Sequence, residues 1–194
     1  MTKRRMKLLP RIIIGLFTVF LVCMFLIGIW DVFFRKTHYP IAYSEEVSLA
    51  SSALGVDEAV IYATIYCESS FNKDAVSNMD ARGLMQILPD TFEWLCEQEG
   101  LEPDAEMLFD PQTNIYYGTK FLSILYERYG NWDAAHAAYH AGHGRVDKWF
   151  ENGDVVIDAE GSLTGIPIDA TAVYVKKINR AKSGYIELLE EKEK

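Results

Sequence analysis

Residues 58–91, EAVIYATIYCESSFNKDAVSNMDARGLMQILPDT, carry the reading on which the fold turns. Asp57 stands before them as an N-cap, and Val60, Ile61, Thr64 and Ile65 recur at helical spacing, so a helix is expected to run to Glu68. From Phe71 to Pro89 the chain is rich in Asn, Asp, Ser and Gly, the composition of a loop, and any small sheet or active-site loop is expected there. The helix thus ends on a carboxyl facing the negative end of its macrodipole. If apolar neighbours also shield such a group it keeps its proton to higher pH, as a general acid working near neutrality requires. By position alone, Glu68 reads first as an ordinary surface acid.

Outward from this stretch the chain reads mainly helical. Ser44-Glu45-Glu46 opens a helix that Gly55 stops. Asp90-Thr91-Phe92-Glu93 reads as a capping box. Asp110-Pro111 is an N-cap with proline at the first helical position, beginning a long helix through Ile115, Phe121, Leu122 and Leu125 to Gly130. A further helix from Trp132 is expected to end at Gly142 and Gly144, and a last one runs from about Thr171 into a solvated, fraying Glu/Lys terminus.

The 194 residues suit one domain plus an appendage. Residues 12–30 hold no charge and, at 1.5 Å per residue, nearly span a hydrocarbon core of about 30 Å. Lys3, Arg4, Arg5, Lys7 and Arg11 precede them, which puts the N-terminus in the cytoplasm and the remainder outside. The stretch exceeds the apolar region of a signal peptide and no small-x-small cleavage site follows it. The expected organisation is a basic N-terminus (1–11), a single-pass membrane anchor (12–34) with Trp30, Phe33 and Phe34 at the outer boundary, a short connector (35–44) and a folded domain (45–194). Residues 1–36 carry seven bases and one acid, which leaves 12 bases against 27 acids in the rest. So acidic a domain argues against nucleic acid as a partner. Of three cysteines, Cys23 lies in the expected span, while Cys67 and Cys96 could pair or could both be small buried side chains.

In combination, Glu68-Ser69-x-Phe71, Ala75-Val76-Ser77 and Ala81-x-Gly83-Leu84-Met85-Gln86-Ile87-x-Pro89-x-Thr91 resemble the signature of the lytic transglycosylase catalytic domain, a lysozyme-like α+β fold. Ala138-Tyr139-His140-Ala141-Gly142-His143-Gly144 resembles the family's Ala-Tyr-Asn-Ala-Gly-x-Gly segment, and Ile166-Pro167 followed by Tyr174-Val175 resembles its closing helix. The match spans about residues 45 to 185. The resemblance implies that Glu68 cleaves the β-1,4 bond between N-acetylmuramic acid and N-acetylglucosamine in peptidoglycan glycan strands. It would act first as acid on the leaving oxygen, then as base on the muramyl 6-hydroxyl, closing a 1,6-anhydro ring. One carboxylate suffices there, where ordinary glycosidases use two. The resemblance further implies that Ser69 orients the acid, that Met85 and Gln86 line the sugar groove, and that Tyr139, His140 and Tyr174 position acid or substrate. For Met85, core packing is an equal alternative. It implies no cofactor.

Three positions depart from the pattern: Asp80 stands for a glycine, His140 for the asparagine, and Ala170-Thr171-Ala172-Val173 for a Glu-Thr-Arg-x run that carries an ion pair. His136 and His140 share a helical face with His143 beyond it, but no glutamate accompanies them as in a zinc-protease helix, so no metal site is read. The competing functions are a hydrolytic muramidase and a non-catalytic peptidoglycan-binding scaffold of an envelope protein complex.

Overall fold

Aspartate or asparagine N-caps at some helix starts and left-handed glycine C-caps at several helix ends cut the chain into its helices, largely where the sequence places them. In the computed structural model, residues 13–26 and 39–192 are described. The chain divides into two units, residues 1–40 and 41–194. In the first, residues 13–26 form helix α1, exposed throughout. The basic residues 1–11, residue 12 and residues 27–34 of the expected anchor, with Trp30, Phe33 and Phe34, lie outside the described residues. Among the described residues no helix is long and apolar enough to cross a membrane.

The second unit comprises α2 (Ser44–Leu54), α3 (Glu58–Ser69), α4 (Pro89–Glu99), a 3-10 helix (Ala105–Phe109), α5 (Pro111–Tyr129), α6 (Trp132–Ala141), α7 (His143–Asn152), the strands β1 (Val156–Ile157) and β2 (Leu163–Thr164), and α8 (Asp169–Lys192). Asp57 caps α3 by accepting the Ala59 N–H at 2.7 Å, and Asp110 caps α5 by accepting that of Thr113 at 2.9 Å. Gly55 and Gly130 end α2 and α5 in the left-handed conformation. α3 is the central helix: Ala59 to Ile65 are buried on every face, beyond the one-sided stripe their spacing suggests. It packs against α8 and α2; α5 packs against α2 and α6, and α6 against α7 and α8.

Four elements differ from the sequence reading. α4 begins at Pro89, with Leu88 as an N-cap lacking a side-chain bond, because proline preset for the first helical position outweighs Asp90 as a start. Gly142 ends α6, but Gly144 lies inside α7, which buries Val146 and Trp149. The two-stranded sheet is not between α3 and α4, where only isolated bridges join Arg82 to Val76 and to Ile87. It lies at β1 and β2, antiparallel, with Val156 opposite Thr164. Asp158 turns this hairpin by accepting the Glu160 and Ser162 N–H groups, and buried Asp133 accepts from the Leu163 N–H at 3.0 Å and from Asn179 at 2.7 Å. The C-terminal Glu/Lys run stays helical to Lys192. Cys67 and Cys96 are both free thiols.

The 71–88 segment has no full ladder, so its buried polar groups need other partners. Asn114 on α5 supplies them. Its Oδ1 accepts the Met85 N–H at 2.7 Å, and its Nδ2 donates to Arg82 O at 2.9 Å and Leu108 O at 2.8 Å. Gly83 makes this approach possible: at φ +76°, a Cβ there would come within 2.2 Å of both Asn114 Nδ2 and Leu108 O. Gly118, one turn along α5, leaves room for Met85, whose Sδ would lie 2.5 Å from a Cβ. Asn114→Ala is expected to lower stability by about 2–4 kcal/mol, since Met85 N–H and Leu108 O lose their buried partner; the urea midpoint checks this, and a loss under about 1 kcal/mol contradicts the account.

Candidate active site

Glu68 occupies the last turn of α3, and the backbone turns abruptly after it. Ser70 and Phe71 adopt φ of 51° and 66° in succession, and Asp80 (61°) and Gln86 (51°) follow. Four of the five non-glycine residues with positive φ among the described residues thus fall between Ser70 and Gln86, in the segment that follows Glu68, a concentration of backbone strain of the kind functional sites carry. Asp80, standing for a glycine, tolerates the left-handed turn as aspartate can, and its carboxylate grips Arg82 through Nε and Nη2, both at 3.0 Å. Ser77 closes the same turn by accepting the Met79 and Ala81 N–H groups.

Tyr174, from α8, donates its hydroxyl to Glu68 Oε1 at 2.5 Å across 106 positions of sequence. Glu68 is half-buried, and this burial raises its pKa to about 7 against the opposing pull of the Tyr174 hydroxyl and the Lys177 ammonium. Lys177 is held on the Cys67 carbonyl at 3.1 Å. Burial and the neighbouring Glu68 push the Tyr174 and Tyr139 hydroxyls far above the usual phenol range, so both remain donors. The acids next in sequence are engaged elsewhere, Asp74 with Lys73 and Asp80 with Arg82.

The other expected site residues divide by what they touch. Tyr139 donates to Met85 O at 2.8 Å and lies against Phe121, ring centroids 5.3 Å apart. His140 stacks on Tyr174 and bonds Thr171. Ser69, half-buried, turns its hydroxyl back to Ile65 O at 3.3 Å. Gln86 spends its amide N–H groups on the loop, on Gly83 O at 2.9 Å and Ala75 O at 3.1 Å. Met85 corrects the expectation of a groove-lining side chain. It is wholly buried beneath Gly118 and offers a ligand no side-chain surface, because the loop is drawn onto α5 by Asn114. Asn114 and Thr171 escaped the sequence reading; each looks like an ordinary helical polar residue until its distant partners are known.

His136 points into the core, with Nδ1 on Trp132 O at 2.8 Å and Nε2 3.3 Å from the Thr64 hydroxyl, and burial lowers its pKa to about 4. Among the described residues no three His, Cys, Asp or Glu stand together as metal ligands. Beyond Phe121 opens a cavity of about 410 Å³ that Trp94, Ile124, Arg128 and His143 also line.

A carboxyl whose folded pKa is raised above its unfolded value near 4.5 binds a proton in the folded state that the unfolded chain has released, so its contribution to stability falls as pH rises from about 4.5 to about 7. Glu68→Gln removes that penalty. Above pH 7 it is expected to stabilise the fold by about 1–2 kcal/mol, allowing for the partial contact of the carboxyl with water, and below pH 4.5 by almost nothing. Thermal midpoints across this range check it; a variant no more stable than wild type at pH 8 contradicts the burial account.

The sequence and the fold have known counterparts. The soluble lytic murein transglycosylase of Salmonella typhimurium is 32% identical over 169 residues, which cover 85% of this chain and 26% of that protein. Membrane-bound lytic murein transglycosylase C of Photorhabdus laumondii is 33% identical over 168 residues, 74% of this chain and 46% of that one. Among solved structures, the 70 kDa soluble lytic transglycosylase of Escherichia coli superposes with a TM-score of 0.75 at 31% identity, covering 84% of this chain and 26% of that one, and it has also been solved with bulgecin A. This chain spans about a quarter of the length of the soluble relatives. The model of the transglycosylase SLT domain matches residues 46–158, more than half of the sequence, and the chain belongs to that family.

Proposed function

We propose that this chain is a peptidoglycan lytic transglycosylase with Glu68 as its single catalytic carboxyl. The observation that carries the reading is a half-buried glutamate with a pKa near 7, held by one phenol at the mouth of a strained loop. Near neutral pH such a group is protonated in about half of the molecules, and each proton given up can be taken back, which suits an acid that must next serve as a base. In the first step Glu68 protonates the glycosidic oxygen between N-acetylmuramic acid and N-acetylglucosamine, and the leaving sugar departs. The muramyl acetamido oxygen supports the cationic centre. In the second, the Glu68 carboxylate removes the proton of the muramyl 6-hydroxyl, whose oxygen attacks the anomeric carbon and closes the 1,6-anhydro ring. Proton and leaving group balance without water.

Tyr174 would hold Glu68 in register with the bond, His140 would back Tyr174, Ser69 and Tyr139 would support acid and loop, and Gln86 would face the sugars through its carbonyl. Relatives with both soluble and membrane-bound names support no single location. We read residues 12–34, of which 13–26 are helical, as a single-pass anchor on the strength of the charge-free run and the five bases before it, with the N-terminus cytoplasmic.

Digestion of purified peptidoglycan by the full-length chain, followed by mass spectrometry, tests the function. Muropeptides ending in 1,6-anhydromuramic acid are expected, with the rate lowered about 10²- to 10⁴-fold by Glu68→Gln. Products one water heavier make the chain a muramidase, and binding without products makes it a scaffold.

A further inference from the structure

The first turn of α8 carries no charge after Asp169 until Lys176, so no ion pair pins it. Two side chains of residues 170–174 are buried, Thr171 at 1% exposure and Tyr174 at 8%, while Val173 is 65% exposed. Both buried ones meet the same residue. His140 Nδ1 lies 3.1 Å from the Thr171 hydroxyl, and the imidazole stacks on the Tyr174 ring with centroids 4.6 Å apart and planes 28° from parallel. Thr171 and Tyr174 are three apart on one helical face, so a single ring at the C-terminal end of α6 spans them both.

We propose that His140 is a positioning residue that clamps the first turn of α8 through Thr171 and Tyr174 and so sets the Tyr174 hydroxyl on Glu68. The proposal rests on Glu68 being the acid of the reaction. The Tyr174 hydroxyl lies on the Cβ–Cγ axis, so it is rotation about Cα–Cβ that would swing it away from Glu68. The stack blocks it on one face. The clamp must also be uncharged, because a cation there would add to Lys177 in pulling the Glu68 proton off. Partial desolvation by its neighbours lowers the His140 pKa below its ordinary value, the direction that favours the neutral ring. The groups that act on Glu68 are Tyr174 and Lys177 from α8; Tyr139 from α6 and Cys67 on its own helix stay protonated under burial.

The test uses the full-length chain with its glutamate δ-carbons labelled, so that the Glu68 titration is read by NMR without turnover, alongside kcat and KM on isolated glycan strands. His140→Ala frees Tyr174 and removes a donor to the carboxylate, so the Glu68 titration moves to higher pH and kcat falls about 10- to 100-fold while KM changes less than about threefold. Tyr174→Phe produces the same upward movement, and adding His140→Ala to it moves the titration no further. Thr171→Val, which deletes only the hydroxyl, moves it in the same direction and serves if His140→Ala does not fold; His140→Asn, which can still bond Thr171, restores part of the shift. A raised KM with the Glu68 titration unmoved makes His140 a sugar contact and overturns the clamp, as do additive effects of His140→Ala and Tyr174→Phe. Should the titrations respond as described while no anhydro product forms, the proposed function falls and the clamp stands.

Discussion

One primary amide holds the floor of the site. The 71–88 segment is too irregular to satisfy its own backbone, and Asn114, fully buried, meets an N–H and a carbonyl of that segment and the carbonyl of Leu108. The arrangement demands that the loop come close to α5, and two glycines answer the demand from either side: Gly83 in the loop and Gly118 in the helix. Met85 then has one direction left, inward. The carbonyl of the same residue is what Tyr139 holds, so the placement of α6 against the loop follows from the same amide.

On that floor the electrostatics of Glu68 are a balance of opposing effects. Burial withholds water from the carboxylate and favours the protonated form; the Tyr174 hydroxyl and Lys177 favour the charged one. Burial prevails, leaving an acid near neutrality where an exposed glutamate would be fully ionised. The two phenols nearby cannot compete for the proton, since the same burial and the same neighbour hold theirs more tightly.

What could be read in the sequence was the local chemistry. Asp57 and Asp110 cap the helices they precede, and Gly55 and Gly130 end α2 and α5, because each of these signals is complete within a few residues; Glu68 reads by position as a surface acid and stands out only through the resemblance of the segments around it. What could not be read depends on neighbours far along the chain. Asn114 serves atoms 29 and 32 residues away, and nothing around it marks it out. Gly144 looks like a breaker yet lies within α7, where burial of Val146 and Trp149 outweighs its poor helix propensity. The hairpin at 156–164 is two residues deep on each strand and is held through Asp133, a residue that reads only as part of the first turn of α6. Met85 was ambiguous between groove and core, and Gly118 decided it.

The span of 106 residues between Glu68 and Tyr174 has a consequence for how the molecule comes into being. The carboxyl sits in the first third of the domain, whereas the hydroxyl that holds it belongs to α8, which packs on α3 from far along the chain. Until α8 docks, Glu68 is a solvated glutamate with its ordinary proton affinity. The raised proton affinity of Glu68 is therefore a product of the docking of two distant helices, and a copy lacking α8 would carry an ordinary acid at that position.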